Sequence, residues 1–325
     1  MRARPMKVAR SGGSRGREAA TPSAIPARGW KDILLRVKDQ LGADNISIVA
    51  AGVAFYLFLA LFPAVAALVS VVGLVVNPGE IERYVAAAGE VMPPEALAIV
   101  ASQVQQLASA SSRTLGLSLV VSVALALWSA TAGTKSLMAA LNIAYGEEER
   151  RGYLRYYATA ILLTLGAIAF AVLALALVAV LPALLALLPV PQIVRTALGL
   201  VRWVILAGAF VLGLAVVYRF APDRTQPQWR WVSWGAAAAT ALWLLGSALF
   251  SLYVANFGDY NKTYGALAAI VILLTWIYLT AFVVLLGAEL NAEMEHQTRV
   301  DSTTGAPRPM GRRGARVADS VGESR

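Results

Sequence analysis

The chain has no cysteine and a single histidine, His296, among its 325 residues. Without thiols there are no disulfides and no thiolate metal sites. One imidazole leaves little for zinc ligation or general-base chemistry. Charge is scarce as well: Asp, Glu, Lys and Arg make up 14% of the residues, against about 25% in a soluble domain. What fills the gap is oil. Hydrophobic residues reach 58% and gather in uninterrupted runs of about 18 residues or more, the length that crosses a bilayer core. The pattern specifies an all-α, polytopic membrane helical bundle.

Residues 1–29 are rich in Arg, Gly, Ser and Pro without periodicity and read as a disordered basic tail. They have no apolar core and do not read as a cleavable signal peptide. Trp30, Ile33, Leu34, Val37 and Leu41 then follow helical spacing, with Lys31, Asp32, Arg36, Lys38 and Asp39 opposite. This predicts an amphipathic helix over 30–42, lying in the interface or packed on the bundle.

The first span covers about 46–76 and carries Pro63 in its middle, which removes a backbone bond and kinks a helix. A polar segment, 77–114, is read as extracytoplasmic. The second span starts near Leu115, turns small and polar from Ser129 to Lys135, and continues to Tyr145 before a charged hinge at 146–151. The third and fourth, about 158–188 and 197–218, are joined so briefly that they must be antiparallel neighbours. A polar loop follows, with Trp229, Trp231 and Trp234 placed like an aromatic belt. A final hairpin, about 232–254 and 265–288, closes a membrane domain of six spans over 30–296. Residues 297–325 read as a second disordered tail. There is no convincing internal repeat, which weakens an inverted-repeat transporter reading.

The net charge of +9 acquires meaning by position. Segments on the N-terminal side of the spans hold 22 Lys and Arg, those on the opposite side 4. The positive-inside rule places both termini in the cytoplasm. The basic tails lack aromatic interleaving and adjoin a membrane, so the expected partner is anionic lipid and not nucleic acid.

Polar groups within apolar spans are costly and mark candidate sites. Lys135 either meets an anionic headgroup or acidic partner in an internal cavity, or snorkels to the interface. Glu289 has the same two readings, and a Lys135–Glu289 pair is geometrically open because both sit at the same ends of their helices. Glu293 and Glu295 read as solvated. In the outer loop, Asp259 and Lys262 could recognise a polar ligand among Tyr253, Tyr260 and Tyr264, or simply cap a turn. Tyr56 and Pro63 could shape a gate or a packing kink. Gly235-x-x-x-Ala239, Ser247-x-x-x-Ser251 and Gly265-x-x-x-Ala269 read as helix-packing faces. There is no G-x-S-x-G, Walker loop or H-E-x-x-H, and the acids are scattered. The expectation is therefore a protein that is not an enzyme and carries no cofactor.

Several stretches carry a resemblance: Ala51-Gly-Val-Ala-Phe-Tyr56 with Leu61-Phe-Pro63, Trp128-Ser-Ala-Thr with Leu137-Met-Ala-Ala-Leu-Asn142, and above all Tyr253-Val-Ala-Asn-Phe-Gly-Asp-Tyr-Asn-Lys-Thr-Tyr-Gly265 with Gly287-Ala-Glu-Leu-Asn291. Over about 30–296 the chain resembles the YihY/BrkB family of bacterial inner-membrane proteins. The resemblance implies a six-helix protein of the cytoplasmic membrane. The matching motif positions are Tyr56, Pro63, Asn142, Asn256, Tyr260, Asn261, Lys262, Tyr264, Glu289 and Asn291. The family has been labelled a ribonuclease (ribonuclease BN) and a virulence or serum-resistance factor. It supplies no catalytic residues to carry over, and the ribonuclease label does not fit this residue inventory. The expected function is a transporter or translocase-like protein for a lipid or other amphiphile, linked to envelope integrity. The alternative is a non-transporting scaffold with a membrane-protein partner.

Overall fold

The computed structural model describes residues 15–73, 117–182, 185, 191–256 and 266–324. The segment 77–114 and the loop positions Asp259, Tyr260, Asn261, Lys262 and Tyr264 therefore lie outside the described residues. Among the described residues the fold is all-α. A 3-10 turn, Pro22–Ala24, leads into α1 (Ala27–Ala43), α2 (Ile46–Gly73), α3 (Leu117–Tyr145), α4 (Tyr153–Leu175), α5 (Gln192–Phe220), α6 (Trp229–Asn256) and α7 (Ala266–Glu295). Five helical stretches are long and apolar enough to cross a membrane: Ile46–Pro63, Tyr153–Val178, Gln192–Phe220, Trp229–Ala255 and Ile270–Glu295.

Local chemistry sets the boundaries. Asn45 takes a left-handed conformation (φ 50°) between α1 and α2, a region Asn enters more readily than most residues. Its carbonyl accepts the Ile48 and Val49 amides and starts α2. Gly146 (φ 64°) ends α3: its N–H donates to Ile143 O and the Glu147 N–H to Asn142 O, the paired bonds of a Schellman cap. Pro191 stands immediately before α5, where a missing N–H costs nothing. Pro63 lies inside α2, and α4 relaxes into a π turn, Ala176–Val180.

The helices α2 to α7 close into a ring in which each touches the next and α7 returns to α2. The α2–α3, α6–α7 and α2–α7 interfaces are the most extensive, and α3 also reaches α7 across the ring. Their buried positions are mostly small: Ala50, Ala54, Ala140, Ala144, Ala236, Ala239, Ala281 and Ala288. Lipid tails are as apolar as leucine, so helix association in a bilayer depends on close backbone approach, which alanine and glycine permit. The Gly235–Ala239 motif does this at the α6–α7 crossing. The outward surface carries leucine, isoleucine, valine and tryptophan, including Leu162, Leu200, Trp203, Leu212 and Leu245.

The buried core is concentrated toward the end where both described terminal segments lie. There α1 packs on α7, burying Ile33 and Val37 with Ala19, Ile25, Trp231 and Met294. Trp231 is thus a core residue and not part of an exposed belt, whereas Trp229 and Trp234 remain exposed. The described parts of the two segments expected to be disordered, 15–29 and 297–324, take defined courses. Residues 15–26 and 297–324 pair across this end, with Arg299 N–H on Arg17 O (2.8 Å) and Gln297 Nε2 on Arg15 O (2.6 Å). Polar side chains and backbone hold them, together with a few apolar anchors such as Ala19 and Ile25. That is why composition alone points the other way.

Candidate functional site

The end of the bundle beneath the spans is built from buried ion pairs. Arg36 on α1 donates to Glu293 on α7 (Nε to Oε2, 2.5 Å), and its Nη2 reaches Gln297 Oε1 at 2.8 Å. Asp32, one turn earlier, accepts two bonds from Arg15 Nη1 at 2.7 and 2.9 Å. Asp32 and Arg36 are both buried, although helical spacing sets them on the polar face of α1. Arg224, from the α5–α6 loop, grips Glu295 with both terminal nitrogens at 3.1 and 2.6 Å. Ser302 Oγ adds a bond to Glu295 Oε2 at 2.6 Å. Burial works to lower the Arg224 pKa, but the Glu295 carboxylate outweighs it and leaves the guanidinium above its ordinary value. Glu293 and Glu295 are therefore buried partners, not solvated acids. Each would be prohibitive in a dry site without its arginine.

Glu289 lies one turn further into α7 and is buried; its Oε1 has no hydrogen-bond partner among the described residues. Its carboxyl interacts with that of Asp44 at the α1–α2 corner. Burial raises the Asp44 pKa, with the Glu293 charge adding to it, against hydrogen bonding to Glu289 and the charge of Arg316. Lys135 does not join this group. Its Nζ sits 4.6 Å from the centre of the Tyr157 ring and 5.8 Å from that of Trp128. The two rings stack 4.7 Å apart, and Tyr153 continues the series. The Thr134 and Thr164 hydroxyls bond at 2.8 Å beside it. Lys135 and Glu289 thus serve different faces of the bundle, and no ion pair joins them among the described residues.

The two asparagines are stitches. Asn142 Nδ2 donates to Glu149 Oε2 (3.1 Å), and its Oδ1 accepts the Asp223 N–H (2.8 Å), tying the end of α3 to both neighbouring loops. Asn291 Oδ1 accepts the Gly235 N–H (2.8 Å) and its Nδ2 donates to Val232 O (3.3 Å). Tyr56 is half exposed on α2 beside Phe55, and Pro63 is partly buried. Asn256 is the last residue of α6, at the opposite end from the ion pairs. The sequence-selected residues are therefore dispersed over several places.

Two cavities mark what residue-by-residue reading missed. One of about 640 Å³ lies beneath the bundle, lined by Glu147, Arg150, Asp223, Arg224 and Arg316 among others. Burial raises the Glu147 pKa there, though its carboxylate accepts the Arg316 N–H. The other, about 420 Å³, runs between α4 and α5 from Arg151, Arg155 and Arg219 to Leu162, Leu163 and Val216. The sequence signal was present, since these arginines belong to the positive segments, but it was absorbed into orientation. Among the described residues, no group of three or more His, Asp or Glu is placed to hold a metal ion.

Comparison with known proteins supplies the relationship. The ribonuclease-like protein YfkH of Bacillus subtilis is 29% identical over 256 residues, covering 77% of this chain and 90% of that protein. A UPF0761 membrane protein of Idiomarina loihiensis is 44% identical over 80 residues, 25% of this chain and 28% of the relative. One from Vibrio parahaemolyticus is 49% identical over 63 residues, 19% and 20% respectively. No solved structure matches the chain. The family model described as virulence factor BrkB matches residues 37–311. With that match and a bundle of apolar helices, the chain belongs to the BrkB family of multi-pass bacterial membrane proteins.

Proposed function

We propose that this protein crosses the membrane six times with both termini in the cytoplasm, and acts without enzymatic chemistry as a transporter or translocase-like protein for a lipid or other amphiphile. The sixth crossing is α3, whose 29 residues give about 44 Å of helix at 1.5 Å per residue. The orientation rests on the Lys and Arg asymmetry. A role in envelope integrity follows from a substrate of that class.

One observation carries the reading. The Lys135 ammonium is held on aromatic faces with no carboxylate partner among the described residues. Trp128 and Tyr153 beside it are open to the surroundings. An amphipathic aromatic cluster is at home at headgroup depth, and an unmatched cation there suits an anionic headgroup. Asn142, Glu289 and Asn291 lie toward the same end of the bundle. Full-length protein purified in mild detergent should retain anionic lipid in native mass spectrometry, and Lys135→Ala should weaken that retention. In proteoliposomes the wild type should move a fluorescent phospholipid between leaflets faster than Lys135→Ala. Unchanged lipid occupancy, or no movement above empty vesicles, would overturn the reading.

A further inference from the structure

We infer that the cleft between α4 and α5 is a binding site for an anionic glycerophospholipid, with the phosphodiester held by Arg155 and Arg219 and the acyl chains lying along the apolar wall. The inference stands apart from lipid movement, because a resident lipid fits the cleft whether or not the protein transports anything. It also concerns a different place from Lys135. On α4, Tyr153, Tyr157 and Thr164 face α3, where Tyr157 receives the Lys135 ammonium and Thr164 bonds Thr134. Arg155, Thr159, Leu162 and Leu163 line the cleft toward α5 at helical spacings of three and four residues, with Arg151 just ahead of the helix.

Charge accounting identifies the headgroup. Four guanidiniums line the cleft, those of Arg151, Arg155, Arg219 and Arg224, with one carboxylate, Asp223. Arg224 is matched by Glu295 at 2.6 Å. Arg151 is matched by Glu149 at 2.6 Å and lies 3.8 Å from Asp223. Arg155 and Arg219 have no carboxylate partner among the described residues. Arg219 is the telling one. It is 9% exposed; Nη1 donates to Pro227 O at 2.5 Å and its guanidinium lies 4.5 Å from the Trp229 ring centre. Its Nε, however, has no hydrogen-bond partner among the described residues. Its Nη2 reaches Gln226 Oε1 at 3.5 Å. A largely buried cation with an unsatisfied donor, lining the same cleft as a second arginine without a carboxylate partner among the described residues, matches a phosphate in charge.

The other end of the cleft selects a lipid over a soluble phosphate. From Arg155 to Leu163 the lining rises eight residues, about 12 Å of helix, passing from guanidinium through the Thr159 hydroxyl to leucine. Val216 and Phe220 form the facing wall. Beyond them Leu162 and Leu212 are largely exposed, a surface on which acyl chains continue. Basic pockets between spans at a membrane surface favour anionic headgroups in this way.

The test uses detergent-purified full-length protein, a photoactivatable phosphatidylglycerol and an equally labelled phosphatidylcholine, with crosslinks mapped to peptides. Phosphatidylglycerol should label the α4–α5 peptides in preference, and Arg155→Gln should reduce that labelling about tenfold, the loss of one charge-assisted contact. Thr159→Trp, which fills the cleft and leaves every charge in place, should reduce it too. Arg219→Gln should act likewise, and if it does not fold the other two variants still decide. Glycerol phosphate in millimolar excess should not compete. Equal labelling by both lipids, insensitivity to Arg155→Gln and Thr159→Trp, or displacement by glycerol phosphate would each overturn the proposal. Labelling of the α3–α4 peptides reports on Lys135 separately, so the two readings fail independently.

Discussion

Asn291 reaches from α7 to the α6 backbone at two points, accepting the Gly235 N–H at 2.8 Å and donating to Val232 O at 3.3 Å. The reach works because glycine lines the crossing. A Cβ on Gly235 would overlap Gly287 O and Asn291 Oδ1, and one on Gly287 would overlap the Tyr218 hydroxyl. That hydroxyl itself donates to Val284 O at 2.7 Å. Asn291→Ala should therefore cost about 1–3 kcal/mol, the usual penalty for a buried polar partner left unmatched.

Gly235→Ala should cost more than Asn291→Ala, since the clash is with backbone that cannot rotate away. Gly246→Ala, in the same helix, meets nothing within 4 Å and should be neutral or stabilising by up to about 1 kcal/mol from helix propensity. Thermal retention on size exclusion in detergent would rank the variants. If Gly235→Ala and Gly246→Ala melt together, the crossing is not as close as described.

The Arg224–Glu295 pair yields a second ranking. Removing one member of a buried pair strands the other, at about 3–5 kcal/mol. Glu295→Gln and Arg224→Met should each be strongly destabilising, and the double variant should be less so than the sum. A double-mutant cycle measures the coupling, which for contacting residues runs to about 0.5–3 kcal/mol. Additive losses would mean the two charges do not stabilise one another.

These residues also show where sequence reading stopped. The five most apolar helices were legible because a helix in oil must satisfy its own backbone, so long apolar runs leave few alternatives. The end of α3 at Tyr145 was legible for a local reason, a glycine placed to take φ 64°. The partners of Glu293 and Glu295 were not. Arg36 is 257 residues from Glu293 and Arg224 is 71 from Glu295, and a helical period reveals which face a residue shares, not what lies across from it. The same limit applies to Lys135. Its aromatic seat spans two helices, so the sequence left open a pairing with Glu289 that the fold does not make.

Two acids give opposite pH signatures, both outside the spans. Asp44 is held above its usual pKa of 3.8, chiefly by burial. The native state then binds more protons than the unfolded chain, so stability falls as pH rises from that value through the raised native pKa. Asp301 is the reverse. Burial works to raise its pKa, but amide bonds from Arg308 and Thr303, the Thr303 hydroxyl and the Arg313 charge prevail and lower it. Its contribution is present above the unfolded pKa and is lost as pH falls through the native one. Asp44→Asn should flatten the decline in thermal stability above about pH 4, and Asp301→Asn should weaken the acid limb below it. A melting profile from pH 3 to 8 would check both, and identical profiles for the two variants would contradict the assignment.

Adjacent arginines in the C-terminal segment provide the last test. Arg313 is buried; its guanidinium donates to Ala318 O at 2.6 Å, Arg299 O at 2.7 Å and Arg308 O at 3.1 Å, with Asp301 3.8 Å away. Arg312 is exposed. One side chain thus gathers three carbonyls from across the segment, and without it those groups turn back to water. Arg313→Ala should release the stretch around 299–319, with faster tryptic cleavage at Arg299 and Arg316. Arg312→Ala should leave cleavage at those two sites unchanged. The membrane helices should melt as before in both, because this contact lies beneath them. Limited proteolysis followed by mass spectrometry separates the cases: equal cleavage rates in the two variants would show that this arginine does not hold the segment in place.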